Sequence, residues 1–344
     1  MEGKRELIYY IARRAAASVL VIIGTIIIVF LISHLLTNDP ARLWAGPKAR
    51  GVTIAYVIQR YHLNAPLLVQ LWYFIVDFFT GNLGIDPITG SSISSEILFY
   101  FPNTLELVLT SLLFIIIMGV GLGYLAAINF SSKKDALIRI LYSAAWASPT
   151  FLVAILAILI FTSYIPIFPS GGMNSPGMLP PAHITGLYVL DSLLSRNLGD
   201  FTDGLYHLIL PSLALAFLNF GIVTRISRNG ILSVKWLPYV KVARAKGLDE
   251  TKVSRNHILR TGLIESNTVI AVMFGWLITG TVVVEQIFSW PGIGKFAYSA
   301  ISESNYPVLI FVVITFTIFV IIANLIADIM YAILDPRIRL GGEN

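Results

Sequence analysis

The stretch "AAASVLVIIGTIIIVFLISHLL" (residues 15–36) is apolar over almost its whole length. A helix needs about 20 mostly apolar residues to cross the hydrocarbon of a bilayer, and this stretch reaches that length. Lys4, Arg5, Arg13 and Arg14 precede it. A cleaved signal peptide has a shorter apolar region, about 7–15 residues, followed by small residues. The stretch therefore predicts an uncleaved first membrane span.

Comparable apolar runs recur along the 344 residues and predict an all-α polytopic membrane protein with six transmembrane helices. The composition agrees, because 56% of the residues are hydrophobic and 12% are charged, whereas soluble domains carry about 25% charged residues. The predicted spans are residues 9–36, 103–130, 137–163, 206–228, 266–288 and 307–334.

The segment between the first two spans contains "VIQRYHLNAPLLVQLWYFIVDFF", whose apolar stretch is interrupted by Pro66 and Asp77. We predict an interfacial or packed helix here, not a further span. The chain then divides into residues 1–102, with the first span and a long extracytoplasmic segment, and residues 103–344. The second part is a core of five spans with a cytoplasmic loop at 229–265.

The distribution of Lys and Arg predicts the orientation of the chain. With the N-terminus inside, 18 of the 24 Lys and Arg residues fall in inside segments and six in outside segments. Cytoplasmic loops of membrane proteins carry an excess of these residues. We therefore predict a multi-pass cell-membrane protein with both termini in the cytoplasm.

Several kinds of chemistry are missing from the sequence. The chain has no cysteine, which excludes disulfides and thiolate metal sites. Gly294-Lys295 is followed by Phe296, so this is not a phosphate-binding loop, and the five histidines lack the spacing of a zinc helix. No G-x-S-x-G motif is present. The sequence therefore predicts a non-enzymatic protein that has no catalytic residues, metal or cofactor of its own.

Ionisable residues inside membrane spans are functional candidates by default. The candidates are four acidic residues, all near the ends of predicted spans, where they can cap a helix or pair with a neighbour: Glu106, Glu265, Glu285 and Asp328. An ion-coupled transporter would place such groups near the midplane, on broken helices. A stand-alone secondary transporter or channel therefore remains only an alternative.

The segment "YVKVARAKGLDETKVSRNHILRTGL" (239–263) carries six of the 24 basic residues. Pro238 suits the first turn of a helix, and Gly247 suits the left-handed position just past a helix end. Lys246 suits the negative end of the helix dipole, and Asp249 is a good N-cap for a second helix. The pattern predicts a short helix, a tight turn and a second helix leading to the fifth span.

Three interpretations of this segment compete: a solvated basic loop, a DNA-binding helix-turn-helix, and a helix that docks on a partner protein. DNA binding is disfavoured because the segment lies between two spans and lacks a three-helix domain. A solvated loop explains the charge but not the small residues Ala243, Ala245 and Gly247, which permit close backbone approach. These residues favour docking. A membrane scaffold whose basic loop binds anionic lipid is a further alternative.

"ARAKGL" (243–248), with "HILR" ten residues after the glycine, resembles the cytoplasmic signature of ABC-importer permeases of the dipeptide/oligopeptide type. Lys241 and Val242 stand where the general signature has Glu and Ala, and Thr261 and Glu265 where the peptide type usually has Asn and Pro. Further segments similar to this family follow one another in the expected order: "NDPAR" (38–42), "PNTLEL" (102–107), "EQIFSWPGIG" (285–294), "NYPV" (305–308) and "YAILDPRIR" (331–339).

The resemblance implies a type I importer permease that forms half of a translocation pathway by alternating access. Its implied partners are a second homologous permease, two cytoplasmic ATPase subunits and an extracytoplasmic binding protein. The implied substrate is a peptide, with oligosaccharides or metal chelates as alternatives. The ATPases would dock on Tyr239, Val240, Ala243, Arg244, Ala245, Lys246, Gly247 and Leu248.

"SWPGIG" (289–294) is predicted at the outer end of the fifth span. Pro291-Gly292 suits the central positions of a type II turn, and Trp290 suits the membrane interface. The segment is either a plain interfacial turn or, as the resemblance implies, part of a substrate-side gate. The candidates for a pathway or outer gate are Glu106, Glu285, Trp290, Pro291 and Gly292.

Overall fold

The computed structural model describes residues 2–35, 39–46 and 51–334, which form helices joined by turns. Within these ranges the only strand-like pairing is an isolated bridge between Ile85 and Ser92. Asn38 of the segment 38–42, and residues 335–339 of the segment 331–339, lie outside the described residues.

The helices in chain order are α1 Glu2–Leu35, α2 Pro40–Ala45, α3 Gly51–Arg60, α4 Leu67–Phe79, α5 Ile93–Ile128, α6 Lys133–Ala147, α7 Thr150–Ile158 with a π-helical end Leu159–Tyr164, α8 Tyr188–Leu194, α9 Leu198–Lys235, α10 Pro238–Ala245, α11 Glu250–Val253 with a π-helical continuation Ser254–Leu259, α12 Arg260–Gly262, α13 Ile264–Ile287, α14 Ile293–Ser302 and α15 Tyr306–Leu334.

Five of these helices are long and apolar enough to cross a membrane by themselves: α1, α5, α9, α13 and α15. The second span begins at Ile93, ten residues before the predicted start, and contains Pro102. It continues through the proline because Ile93 and Ile97 in its first turns are buried in a core. The predicted 206–228 span is likewise the middle of the longer α9, which contains Pro211.

The predicted span 137–163 is not one straight helix. It consists of α6 and α7 with its π-helical end, two segments that meet at an angle of 107°. Ser148 between them has the extended backbone (ψ 134°) that a residue before proline favours, and Pro149 follows it. The predicted span therefore corresponds to a bent pair of helices, because Ser148-Pro149 interrupts the helix.

The packing of α5 on α9 supports six crossings. Gly119 lies against Val223 and Gly123 against Ser227, so the two helices run parallel. The chain from 129 to 197 must then return across the membrane between them. The bent pair makes that return along α9, since Tyr142 lies against Gly221 near one end and Tyr206 bonds to Ile167 near the other.

Two apolar cores hold the spans together. The first joins α1 to α15 through Phe30, Phe74 and Phe311. It also contains α2, α3 and α4, so the interrupted apolar stretch forms two short packed helices. The second core lies among α5, α7, α9, α13 and α15.

Candidate functional site

The segment between α9 and α13 begins with a short helix, as predicted. Leu237 is extended (ψ 149°) and Pro238 occupies the first turn of α10, where its missing N–H costs no hydrogen bond. The helix is eight residues long, Pro238–Ala245. The end of α9 and the start of α10 are thus separated only by Trp236 and Leu237.

Gly247 ends this helix with a left-handed backbone (φ 75°), which confirms the prediction. Its N–H donates to the Arg244 carbonyl at 2.9 Å, and the Leu248 N–H donates to the Ala243 carbonyl at 3.4 Å. A Cβ on Gly247 would meet nothing within 4 Å. The position therefore requires glycine for its backbone conformation, not for space.

Asp249 caps the second helix, as predicted, by accepting the Thr251 N–H at 3.0 Å. The expected single helix is wrong, however, because its middle is the π-helix Ser254–Leu259. In an α-helix Ile258 would point about 140° away from Val253. The wider turn lets both side chains enter one buried cluster.

This cluster seats α10 on the inner ends of α5 and α9. Val240 and Ala243 are buried against Ala127, Ile231, Val234, Val253 and Ile258. On the opposite face Tyr239, Val242 and Leu248 are 42%, 53% and 41% exposed. The eight predicted docking residues thus divide into a buried pair, a partly buried Arg244 and an exposed set comprising Tyr239, Ala245, Lys246, Gly247 and Leu248.

Arg244 and Glu250 form an ion pair across the Gly247 turn. The Arg244 Nε and Nη2 donate to the two carboxylate oxygens at 3.0 and 2.7 Å. These hydrogen bonds hold the pKa of the Glu250 carboxyl below its usual range and raise the pKa of Arg244. Both side chains are partly exposed, so the pair contributes at most about 1 kcal/mol. Its main consequence is to fix the geometry of the turn.

The end of the segment is anchored directly on α9. A Cβ on Gly230 would lie 2.1 Å from the Gly262 carbonyl oxygen, so α9 and α12 touch through their backbones. One turn further, the Ser227 hydroxyl donates to Ser266 at 2.9 Å. Small residues permit such close helix contacts in membranes. The inner end of α13 therefore follows α9 closely.

At the outer end of α13, Glu285 is fully buried and joins three elements. Its Oε1 accepts the Thr104 hydroxyl of α5 at 2.7 Å, and its Oε2 accepts the Lys295 N–H of α14 at 2.9 Å. A carboxylate is favoured at a helix N-terminus, where unbonded N–H groups point outward. Glu285 therefore caps α14 from a different helix, in line with the expected capping role.

The "SWPGIG" segment differs from both structural expectations. Gly292 has φ −99°, so Pro291-Gly292 does not form a type II turn, which needs a positive φ there. Trp290 is fully buried, not at the membrane surface, and its indole N–H donates to the Asn103 carbonyl at 2.9 Å. The Asn103 amide in turn donates to the Pro291 carbonyl at 2.8 Å. These two hydrogen bonds hold the loop against α5, and in this position Trp290 is buried and Gly292 has an extended backbone.

The other ionisable candidates have separate partners. Glu106 is buried well inside α5, not near its end, and accepts the Val189 N–H of α8 at 2.8 Å. It differs from expectation because α5 starts earlier than predicted. Asp328 pairs with Arg14 of α1. Glu265 is exposed in the first turn of α13, where a negative charge suits the helix dipole.

The sequence reading missed the buried pair of Asp135 on α6 and Arg228 on α9. Arg228 donates from Nε and Nη2 to the two Asp135 oxygens at 2.7 and 2.9 Å. Asp135 is 1% exposed. Both residues lie in or beside predicted inside loops, where charges are ordinary. No local signal distinguished this pair from solvated residues.

A second missed group fixes the loop between α7 and α8. Asp191 accepts the N–H groups of Ile184, Thr185 and Gly186 and the Thr185 hydroxyl. Burial opposes ionisation of Asp191, but these hydrogen bonds outweigh it and hold its pKa below the usual range. The segment between α7 and α8 is rich in Gly, Pro and Ser, and this composition gives no sign of the anchoring.

Comparison with known proteins covers nearly the whole chain. The family model described as "Binding-protein-dependent transport system inner membrane component" matches residues 119–340, and the model of its N-terminal part matches residues 7–106. A probable D,D-dipeptide transport system permease of Escherichia coli K12 is 36% identical over 96% of this chain and 97% of its own length.

Two further relatives are similar over the same extent. A glutathione transport system permease of Salmonella typhimurium is 32% identical over 96% of this chain and 98% of its own length. An oligopeptide transport system permease of Bacillus subtilis is 33% identical over 96% of this chain and 99% of its own length.

Proposed function

Since the chain belongs to the family of inner-membrane components of binding-protein-dependent transport systems, we propose that it is the permease subunit of an ATP-driven peptide importer. With a second homologous permease it forms the pathway. Two cytoplasmic ATPases supply the energy, and an extracytoplasmic binding protein delivers the substrate. The chain itself hydrolyses no ATP.

The observation that carries this proposal is the shape of α10. One face is seated on α5 and α9 through Val240 and Ala243, and the other presents Tyr239, Val242 and Leu248 outward. Exposed apolar side chains rimmed by charged residues are typical of protein interaction sites. Lys241 and Lys246 supply such a rim. An ATPase that binds this face moves α9 and α13 with it, which is the requirement for alternating access.

The peptide class rests on the relatives, which are named for transport of D,D-dipeptides, glutathione and oligopeptides. All three substrates contain amide bonds and are flexible and polar. Oligosaccharides and metal chelates are the alternatives that the sequence resemblance offers.

Orientation and domain division complete the proposal. The start of α1 and the end of α15 meet at the Arg14–Asp328 pair. Since α13 runs antiparallel to both α9 and α15, this pair lies at the same end of the molecule as α10. We infer from the excess of Lys and Arg at that end that it is cytoplasmic. The division at residue 102 separates an amino-terminal part from the core, although α5 continues across it.

The outer-gate candidates take a structural role in this scheme. Glu285, Trp290, Pro291 and Gly292 join α13, α14 and α5, and a Cβ on Gly292 would lie 2.4 Å from the Glu285 carboxylate. We place them in a joint behind the gate, and Glu106 similarly positions α8. They shape the pathway through the helices that they hold.

A charged substitution on the docking face tests the proposal. The complex purified with wild-type chain should contain two ATPases and a second permease and should import tri-alanine with ATP. Val242→Asp should reduce ATPase binding about 30-fold, since a central interface residue contributes about 2 kcal/mol or more. Co-purification and uptake in vesicles measure the effect.

Lys134→Asp on α6 is the matched control, because Lys134 is also exposed and lies at the same end of the molecule. This substitution changes the net charge by two units, whereas Val242→Asp changes it by one. It should bind ATPase normally. Equal binding by Val242→Asp and wild type would refute docking on this face, and a complex without ATPases would refute the proposed function.

Gly247→Val tests the turn. Valine at φ 75° costs about 1 kcal/mol or more, so α10 should lose its fixed end. We expect uptake per assembled complex to fall while ATP hydrolysis continues. Gly247→Asn is the control, because asparagine tolerates this conformation. Full uptake by the valine variant would show that the turn geometry is not needed.

A further inference from the structure

One face of α13 stays uncovered along its length. Thr268, Val272, Trp276, Thr279 and Val283 fall within about 80° of the helix circumference at 3.6 residues per turn. Trp276 is 75% exposed, and Val272 and Val283 are 45% and 41% exposed. We call these five residues the α13 stripe.

The stripe lies beside an exposed asparagine of α15. The Asn324 Oδ1 would be 2.8 Å from a Cβ on Gly275, the residue before Trp276. Gly275 is the twelfth of the 24 residues of α13. A helix rises 1.5 Å per residue, so Asn324 and Trp276 lie close to the bilayer midplane.

Neither side chain is satisfied within the protein. The Asn324 amide and the Trp276 indole N–H have no hydrogen-bond partner among the described residues. Hydrocarbon offers no partner either, and an unpaired polar group there is costly. Tryptophan in lipid-facing positions is enriched at the interfaces, not at mid-depth. The two groups therefore indicate a wet surface.

The exposed surface of α1 has a different composition. Between Val19 and Ile32 of α1, the exposed large side chains are those of Val19, Leu20, Val21, Ile28 and Ile32, all aliphatic. The hydroxyls of Thr268 and Thr279 on the stripe donate to carbonyls of their own helix, so these residues can face either water or hydrocarbon. The contrast between the two faces thus rests on Trp276 and Asn324.

We propose that the α13 stripe and Asn324 line the translocation path at the bilayer midplane and contact the peptide there. This deepens the proposed function and rests on it. The Asn324 amide can donate to and accept from a peptide bond, whatever the peptide sequence. The Trp276 ring offers an apolar surface to side chains of many shapes, and its N–H offers one more donor.

The absence of native cysteine makes this testable, because an introduced cysteine is the only thiol of this chain. Asn324→Cys, Trp276→Cys and Thr279→Cys are compared with Leu20→Cys of α1 in the full complex in vesicles. The probe is the impermeant quaternary cation 2-(trimethylammonium)ethyl methanethiosulfonate, with and without ATP and vanadate. It reacts with the thiolate, which forms in water and is suppressed in hydrocarbon.

We expect Asn324→Cys and at least one other stripe cysteine to react about tenfold or more faster than Leu20→Cys in one of the two states. A rate for Asn324→Cys no higher than that of Leu20→Cys in both states overturns the inference, whether lipid or a second permease covers the face. Uptake of tri-alanine by the complex with the unsubstituted chain is measured in vesicles prepared in the same way. Uptake with unreactive cysteines refutes only the path assignment, whereas reactive cysteines without uptake refute the peptide function.

Discussion

Trp290→Ala is expected to destabilise the folded chain by about 3–5 kcal/mol, the usual cost of deleting a large buried aromatic side chain. Trp290 is the largest fully buried side chain among the described residues. The substitution also removes the hydrogen bond from the indole N–H to the Asn103 carbonyl. This hydrogen bond is also a contact that fixes the loop before α14 on α5. Thermal unfolding of the purified complex measures the loss.

Trp72→Ala is the matched control, since Trp72 on α4 is 65% exposed and leaves no comparable cavity. It should unfold close to the wild-type temperature. Trp290→Phe separates the two contributions, because it keeps most of the volume and removes the hydrogen bond. Equal unfolding temperatures of Trp290→Ala and Trp72→Ala would show that the contacts of Trp290 at the outer end of α13 do not stabilise the fold.

Gly230→Val is expected to abolish uptake, because its side chain has no room at the contact of α9 with α12. A Cβ there would lie 2.1 Å from the Gly262 carbonyl oxygen, and backbone cannot move aside as a flexible side chain can. Overpacking of this kind costs about 1–3 kcal/mol or more. The chain can avoid it only by separating the segment from α9. Uptake and ATPase activity of the assembled complex measure the result.

Gly121→Val on α5 is the control, since a Cβ on Gly121 meets nothing within 4 Å. Both substitutions place valine at an interior position of a spanning helix, so their intrinsic helix propensities change equally. Normal uptake by Gly230→Val would show that the backbone contact is not needed for transport.

Predictions from the sequence were most accurate where residues next to one another in the chain determine the local structure. Pro238, Gly247 and Asp249 act within one turn of their own position, and all three behave as expected. The apolar runs predicted the spans for the same reason, since twenty apolar residues need no partner to cross hydrocarbon. Local chemistry therefore located both the membrane helices and the turn that ends α10.

Prediction failed where the structure depends on contacts between residues that are far apart in the sequence. Asp135 and Arg228 are 93 positions apart, and Trp290 and Asn103 are 187 apart. The burial of Asp135 depends on the packing of α6 on α9, and that of Trp290 on the packing of the α13–α14 loop on α5. Composition does not encode either contact. The bend at Ser148-Pro149 is different, because its signal was present: a serine before a proline disfavours helix. The apolar residues before and after Ser148-Pro149 led to the prediction of one span across it.

The anchoring of α13 at both ends has a mechanical consequence. Its inner end is attached to α9 through Ser266, one turn beyond the Gly262 contact of α12, and its outer end to α5 through Glu285 and Thr104. A rod about 36 Å long that is clamped in this way has no joint along its length. We therefore expect a displacement of the inner ends of α9 and α13 to move the outer end of α13 in the same rigid-body motion.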